Sequence, residues 1–256
     1  NGNTLYADSY VDLVAFNISD INTVKETGRL QGVFRNYRSF GMATDANCCV
    51  ITSWTEMKTV QLSESDCDLT VQPWGGVNQE NGLALSSDMV ASFSSKAAVT
   101  PGSGSGPGVG GSLARFTING DYLYMLDGGE LQVADISTNN PVAKSRSYLA
   151  PDIETIFPYK KNLFIGSASG MHILDISTPE TPQKLSTYAH VRSCDPVVVD
   201  ENYAYVTLRS GNMCAGTTNV LEVIIVKDLT APALVNSYQM TNPHGLGIDN
   251  TTLFIC

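Results

Sequence analysis

Glu130-Leu131-Gln132-Val133-Ala134-Asp135-Ile136-Ser137 alternates apolar and polar residues and closes on a turn, and the chain writes this phrase four times. The other copies are Asp12-Leu13-Val14-Ala15-Phe16-Asn17-Ile18-Ser19, Gly170-Met171-His172-Ile173-Leu174-Asp175-Ile176-Ser177 and Glu222-Val223-Ile224-Ile225-Val226-Lys227. Alternation with a period of two puts successive side chains on opposite faces of a β-strand. A helix would need apolar residues three and four apart, with capping residues at its ends. No stretch sustains that pattern, so the sequence predicts an almost wholly β protein.

A second phrase precedes the first: an apolar residue, a tight polar turn and an apolar-aromatic pair. Its copies are Ile118-Asn119-Gly120-Asp121-Tyr122-Leu123-Tyr124, Ile156 through Leu163-Phe164, Val199-Asp200-Glu201-Asn202-Tyr203-Ala204-Tyr205 and Ile248-Asp249-Asn250-Thr251-Thr252-Leu253-Phe254. Weaker copies stand at Asn3-Thr4-Leu5-Tyr6 and Ala46-Asn47-Cys48-Cys49. Tyr124 and Phe164 are 40 residues apart, Phe164 and Tyr205 41, and Tyr205 and Phe254 49. Strand-built units recurring at about 40 residues are the mark of a β-propeller, in which each unit is one blade.

The best copy parses into four strands, Ile153 to Phe157, Asn162 to Ala168, Met171 to Ile176 and Gln183 to Tyr188. Turns rich in Gly and Pro, including Gly170, Pro179 and Pro182, separate them. The sequence therefore predicts an all-β fold: one β-propeller domain over residues 1–256, of about six four-stranded blades, at least four of them alike. The count fits an incomplete ring or a fragment of a larger one as well as a whole ring. A glycine-rich insertion at about residues 63–111 interrupts it, containing Pro101 to Gly111.

The four strand phrases, the segment His190 to Val199, the stretch Gly211-Asn212-Met213-Cys214 and Pro243-His244-Gly245-Leu246-Gly247-Ile248 resemble the LVIVD-repeat family. That resemblance implies a propeller-like architecture and a bacterial surface or secreted setting, and it implies no particular activity. Ile225 stands where the phrase usually has an acidic residue, as Asp135 and Asp175 do, and Asn17 is only its amide. Those carboxylates are read as groups that fix turns, not as catalysts.

A formal charge of −10 speaks against a nucleic-acid partner, because phosphate contacts need clustered Lys and Arg, and the few arginines here are scattered. No run of 18 apolar residues exists, so no membrane-spanning segment is expected. The chain opens without a charged and apolar leader and ends within a strand phrase at Leu253-Phe254-Ile255-Cys256. Those ends suggest a piece of a longer protein, or a last pair of strands that closes the ring against the first repeat.

Six cysteines suggest an oxidising compartment. Cys194 and Cys214 are expected to form a disulfide tethering the enlarged hairpin at Ser210 to Thr218. Pairings of Cys48, Cys49, Cys67 and Cys256 stay open. Their spacings match no zinc motif, so no metal and no cofactor is expected. The glycine-rich run lacks the Lys-Ser/Thr ending and following helix of a phosphate loop, and it contains no nucleophile elbow. In the same insertion Trp74, followed by two glycines, is a candidate contact residue.

In a propeller, the connections from one blade's outer strand to the next blade's inner strand gather at one mouth of the channel. Counting ten residues back from each aromatic marker gives Ser39, Ala114, Glu154, Asp195 and His244, with Arg192 nearby. Glu154, Arg192, Asp195 and His244 are thus the candidate ligand-binding residues, suited to binding a cation or to acid and base work. The sequence reads best as an extracytoplasmic binding module, at the cell surface, periplasmic or secreted, taking a protein or glycan through one ring face. A hydrolase or lyase at the channel mouth is the alternative. His172 is expected on an exposed blade face, and two glycosylation sequons, Asn17-Ile18-Ser19 and Asn250-Thr251-Thr252, fall in strand phrases.

Overall fold

The computed structural model describes residues 2–9, 11–34, 38–39, 42–43, 114–190, 196–210 and 218–256. Asp195, Arg192, Cys194, Cys214, Cys48, Cys49, Cys67, Trp74, the weak copy at Ala46 to Cys49 and the glycine-rich run lie outside them. Two compact units are present, Asn1–Arg35 with Gly106–Cys256, and Asn36–Ser105.

In the first unit, strands β1 (Thr4–Ser9), β2 (Asp12–Asn17) and β3 (Lys25–Leu30) form a three-stranded antiparallel sheet. In the second unit, β4 (Arg38–Ser39) pairs with β5 (Met42–Ala43). Returning to the first unit, β6 (Phe116–Asn119), β7 (Tyr122–Asp127), β8 (Glu130–Asp135) and β9 (Val142–Tyr148) make a complete four-stranded sheet. The same order recurs in β10 (Ile153–Tyr159), β11 (Asn162–Ser167), β12 (Gly170–Asp175) and β13 (Gln183–Ala189). It recurs again in β14 (Val197–Asp200), β15 (Tyr203–Leu208), β16 (Val220–Ile225) and β17 (Ala233–Gln239), and β18 (Leu246–Asp249) with β19 (Thr252–Ile255) gives the first two strands of a fifth sheet. No helix occurs among the described residues. Among the described residues three sheets have all four strands, where the sequence predicts at least four such sheets; the described part of the first begins at its second strand and that of the last has its first two.

The repeat extends below the level of strands. A β-bulge falls at one position of the third strand in every sheet that has one, between Ala15 and Phe16, Val133 and Ala134, Ile173 and Leu174, and Val223 and Ile224. The extra residues sit in the fourth strands, at Thr27, Lys144, Leu185 and Val235. A bulge increases the local right-handed twist, so each outer strand turns away from the inner ones in the manner of a propeller blade. The residue after each third strand (Ile18, Ile136, Ile176, Val226) donates its N–H at 2.7–2.9 Å to the carbonyl just before the second strand (Asn3, Asp121, Lys161, Asn202).

Successive sheets stack through their inner strands, β6 beside β10, β10 beside β14 and β14 beside β18. The core lies between sheets, not within one. Leu13, Phe34, Leu123 and Met125 fill the space between the first and second sheets, and Tyr124, Leu131, Ile156 and Leu163 that between the second and third. Phe164, Met171, Val198 and Val206 fill the next. In each apolar-aromatic pair the two residues therefore face opposite neighbours: Leu163 meets the sheet before it and Phe164 the sheet after. Gly28 is required where the first sheet meets the β8–β9 connection, since a Cβ there would stand 2.5 Å from the Asn139 carbonyl oxygen.

One expectation is overturned. His172 is 5% exposed, not on an open face. Alternation along a third strand here selects which neighbouring sheet a residue faces, because both faces of the strand are covered.

Candidate functional site

Each sheet has two ends. At one lie the starts of the inner strands, the turns between second and third strands and the links from outer strands. At the other lie the hairpins between first and second strands and the connections from third to fourth.

The second kind of end is closed on itself. Asn17, Asp135 and Asp175 each accept an N–H from the residue two positions on (Ser19 2.8 Å, Ser137 2.9 Å, Ser177 2.8 Å). Where Ile225 takes that place, Asp228 does the same work with Thr230 at 2.9 Å. Hydrogen bonds from Ser137, Ser177 and Thr230 hold the Asp135, Asp175 and Asp228 carboxyls below the usual carboxylate range. These acids fix turns, as their sequence pattern suggests. Lys144 bridges Asp135 (3.3 Å) and Glu180 (2.9 Å), and Tyr122 donates to Glu180 (3.2 Å), joining the second sheet to the third.

The first kind of end departs from the repeat in the first, third and fourth sheets. The first sheet's chain leaves it at Phe34 and returns at Ala114, with the Asn36–Ser105 unit in between. Between β15 and β16 the chain runs from Arg209 to Asn219, against two residues, Gly128 and Gly129, between β7 and β8. Glu154 stands on a bulge, since β10 shifts register against β11 between Ile153 and Thr155, a shift absent from β6, β14 and β18. Such bulges re-aim a side chain at a strand end. Glu154 is half-buried there, beside Asp152, whose carbonyl accepts from the Ala168 N–H at 3.1 Å.

His244 is exposed just before β18. Its backbone is fixed by its own N–H to the Cys256 carbonyl at 2.7 Å and by the Thr207 hydroxyl donating to its carbonyl at 3.1 Å. Arg209 Nη1 lies 3.0 Å from both ring nitrogens, and Asn242 Nδ2 lies 3.2 Å from Nε2. The structure thus puts Glu154 and His244 at the same kind of sheet end, on the third and fifth sheets, while Arg192 and Asp195 lie outside the described residues. Arg209 and Asn242, which stand beside the His244 ring, join the candidate site and were not picked out by the sequence reading. The signal for Arg209 is that second strands finish at the same end as inner strands begin, which puts the residue after Tyr203–Leu208 at the end that holds Glu154 and His244.

Among the described residues no three His, Cys, Asp or Glu side chains gather as a metal site. A cleft of about 270 Å³ lies between Leu30–Val33 and β9, lined by Gln132, Lys144 and Arg146. Its cations are already engaged, Lys144 as above and Arg146 with Glu130 at 3.1 Å. Cys256 is a free, exposed thiol.

Antiparallel sheets of one pattern, bulged alike and stacked by their inner strands, define a propeller-like all-β protein. The LVIVD-repeat family model matches residues 110–147 and 192–240, which span the second and fourth sheets, so these two sheets are similar to that family's repeat. The third sheet has the same strand order and the same third-strand bulge without being matched. No curated protein matches the chain. Among solved structures, one similar chain comes from an S. cerevisiae assembly described as a Dbp5 variant bound to Nup159, a Gle1 variant, IP6 and ADP. It shares 10% identity at a TM-score of 0.36, over 56% of this chain and 43% of that one. This chain spans less than half of that one, and so distant a likeness carries no argument about fold or function.

Proposed function

We propose that the protein is an extracytoplasmic binding module that takes a protein or a glycan at the sheet end bearing Glu154, Arg209 and His244, with Arg192 and Asp195 on the intervening link. The observation that supports this is the asymmetry between the two ends. The turn-fixed end repeats from sheet to sheet, whereas the Glu154 bulge and the longer connection from Arg209 to Asn219 belong to the other. Loops on a rigid scaffold are where binding groups concentrate. A carboxylate, a guanidinium, an imidazole and an amide there supply donors and acceptors for sugar hydroxyls or a polar peptide surface.

The test is a binding screen against a glycan array and purified cell-surface proteins, repeated with Glu154→Ala, Arg209→Ala and His244→Ala. Binding by the parent chain that falls at least about tenfold, roughly 1.4 kcal/mol, in these variants at unchanged urea midpoints supports the proposal. Binding that survives all three but is lost on replacing Lys161 or Lys227 at the opposite end overturns it. Turnover of a bound ligand, abolished in Glu154→Gln, would establish the hydrolase or lyase reading instead.

A further inference from the structure

We propose that Asn17 and Asn250 are acceptor sites for N-linked glycans, at the sheet end opposite Glu154 and His244. The proposal rests on the extracytoplasmic reading above. Both asparagines satisfy the Asn-x-Ser/Thr rule, in Asn17-Ile18-Ser19 and Asn250-Thr251-Thr252. The sequence places both inside strand phrases; the structure moves Asn250 out of the strand and leaves Asn17 at the end of one, paired with Thr4 and Lys25. Asn17 is the exposed last residue of β2, and Asn250 is exposed in the turn between β18 and β19.

Local geometry leaves the reacting groups available. Asn17 uses its carbonyl Oδ1 to hold the Ser19 N–H, and among the described residues its Nδ2 has no hydrogen-bond partner. Forming an N-glycosidic bond at Nδ2 keeps Oδ1 as acceptor, so the turn survives modification. At the same repeat position Ser177 gives its hydroxyl to Asp175 at 2.7 Å, whereas the Ser19 hydroxyl makes no such bond to Asn17. Asn250 has φ 50°, at the place held by Gly2, Gly120, Lys160 and Glu201, all at positive φ. Its Nδ2 donates to Asp249 Oδ1 at 3.0 Å, and an N-glycosylated amide retains one N–H for that bond. Thr252 opens β19 and is exposed.

The sugar donor is an oligosaccharide carried on a polyprenyl diphosphate. The asparagine Nδ2 bonds to C1 of the first sugar, the C1–O bond breaks, the polyprenyl diphosphate leaves with the electron pair, and one amide proton passes to a base. Chains attached at Asn17 and Asn250 would project from the turn-fixed ends of the first and fifth sheets, leaving the proposed binding end uncovered.

The test expresses the full chain behind a heterologous secretory leader in animal cells, with a control sequon in a C-terminal tag to report entry into the secretory pathway. Glycans are read by peptide N-glycosidase digestion and mass spectrometry of total cell and medium protein. Expected are modification at both asparagines, loss of one glycan each in Asn17→Gln and Asn250→Gln, and the same losses in Ser19→Ala and Thr252→Ala, which leave the asparagines in place. A chain glycosylated on the tag but unmodified at either asparagine overturns the proposal and leaves the extracytoplasmic reading standing. Cytosolic residence of the protein in its own cells, with both sites accepting sugar in this assay, would refute that reading and leave the acceptor chemistry intact.

Discussion

Acid should weaken this protein through one buried imidazole before it reaches the carboxylates. His172 sits in β12 facing the second sheet, with Nδ1 3.0 Å from the Thr187 hydroxyl and Nε2 buried without a hydrogen-bond partner among the described residues. Burial, reinforced by the Lys184 charge and opposed by Asp152, pushes its pKa down to about 4 from 6.5. The unfolded chain therefore binds more protons than the folded one between those values. Stability is full above pH 6.5 and is lost as pH falls toward 4. At about 1.36 kcal/mol per unit of pKa, the loss between pH 7 and pH 5 is about 2 kcal/mol, or nearer 1 once solvent screening of the partly open surroundings is allowed for. The depressed carboxyls of Asp135, Asp175, Asp228 and Glu180 do not interfere, because their contributions persist above their ordinary values of 3.8 and 4.5 and fall only below them. The assay is urea unfolding at pH 7 and pH 5 of the parent chain and of His172→Gln, the residue that Gln132 provides at the same place one sheet earlier. The parent should lose about 1–2 kcal/mol more than the variant over that interval. Equal losses would show that His172 is protonated without cost, and the burial argument would fail.

Lys160→Gly and Glu201→Gly should each raise stability by about 0.5–1 kcal/mol, because both residues hold the left-handed backbone, at φ 54° and 44°, that Gly120 provides in the second sheet; thermal unfolding reads this directly. Tyr188→Phe removes the hydroxyl that donates to the buried Glu222 at 3.0 Å and should cost about 1–3 kcal/mol, with part recovered on adding Glu222→Gln; unchanged urea midpoints would mean the carboxylate finds another partner. Ser147→Tyr places a phenol opposite His172 as Tyr188 stands opposite Glu222, and should add about 1 kcal/mol at pH 7; the same gain in Ser147→Phe would deny the hydrogen bond. Cys194 and Cys214 should resist alkylation in denatured, unreduced protein, and recovery of both as free thiols would end the disulfide expectation.

The strands were legible because their signal is local. Alternation, the turn before Tyr122, Asn162 and Tyr203, and the spacing of the aromatic markers all survive in one dimension. The shared bulge was not. It depends on pairing between two strands, and nothing in Thr27, Lys144, Leu185 or Val235 has a common side chain to announce it. Nor was the burial of His172 legible, since alternation separates two faces but cannot say that both are covered. The Glu154 position emerged from counting back to the inner-strand start, whereas its bulge and the approach of Arg209 to His244 arise from contacts between segments far apart in sequence.

The third residue of each third strand shows how an identical scaffold acquires different interfaces. Val14, Gln132, His172 and Glu222 occupy one place, and the last three all point at the preceding sheet. Gln132 donates to the Val33 carbonyl at 2.6 Å, and Glu222 accepts from Tyr188. For both, the preceding sheet supplies the matching group. At His172 it does not: the residue holding Tyr188's place is Ser147, which makes no bond to the imidazole. A buried polar atom without a partner costs about 1–3 kcal/mol, and at the junction between the second and third sheets that atom is His172 Nε2, whereas Gln132 and Glu222 each meet a group across their junctions. Of the two titratable groups at this place, His172 and Glu222, the unmatched one is the imidazole, whose pKa burial lowers. The acid sensitivity that His172 confers therefore falls on the junction between the second and third sheets.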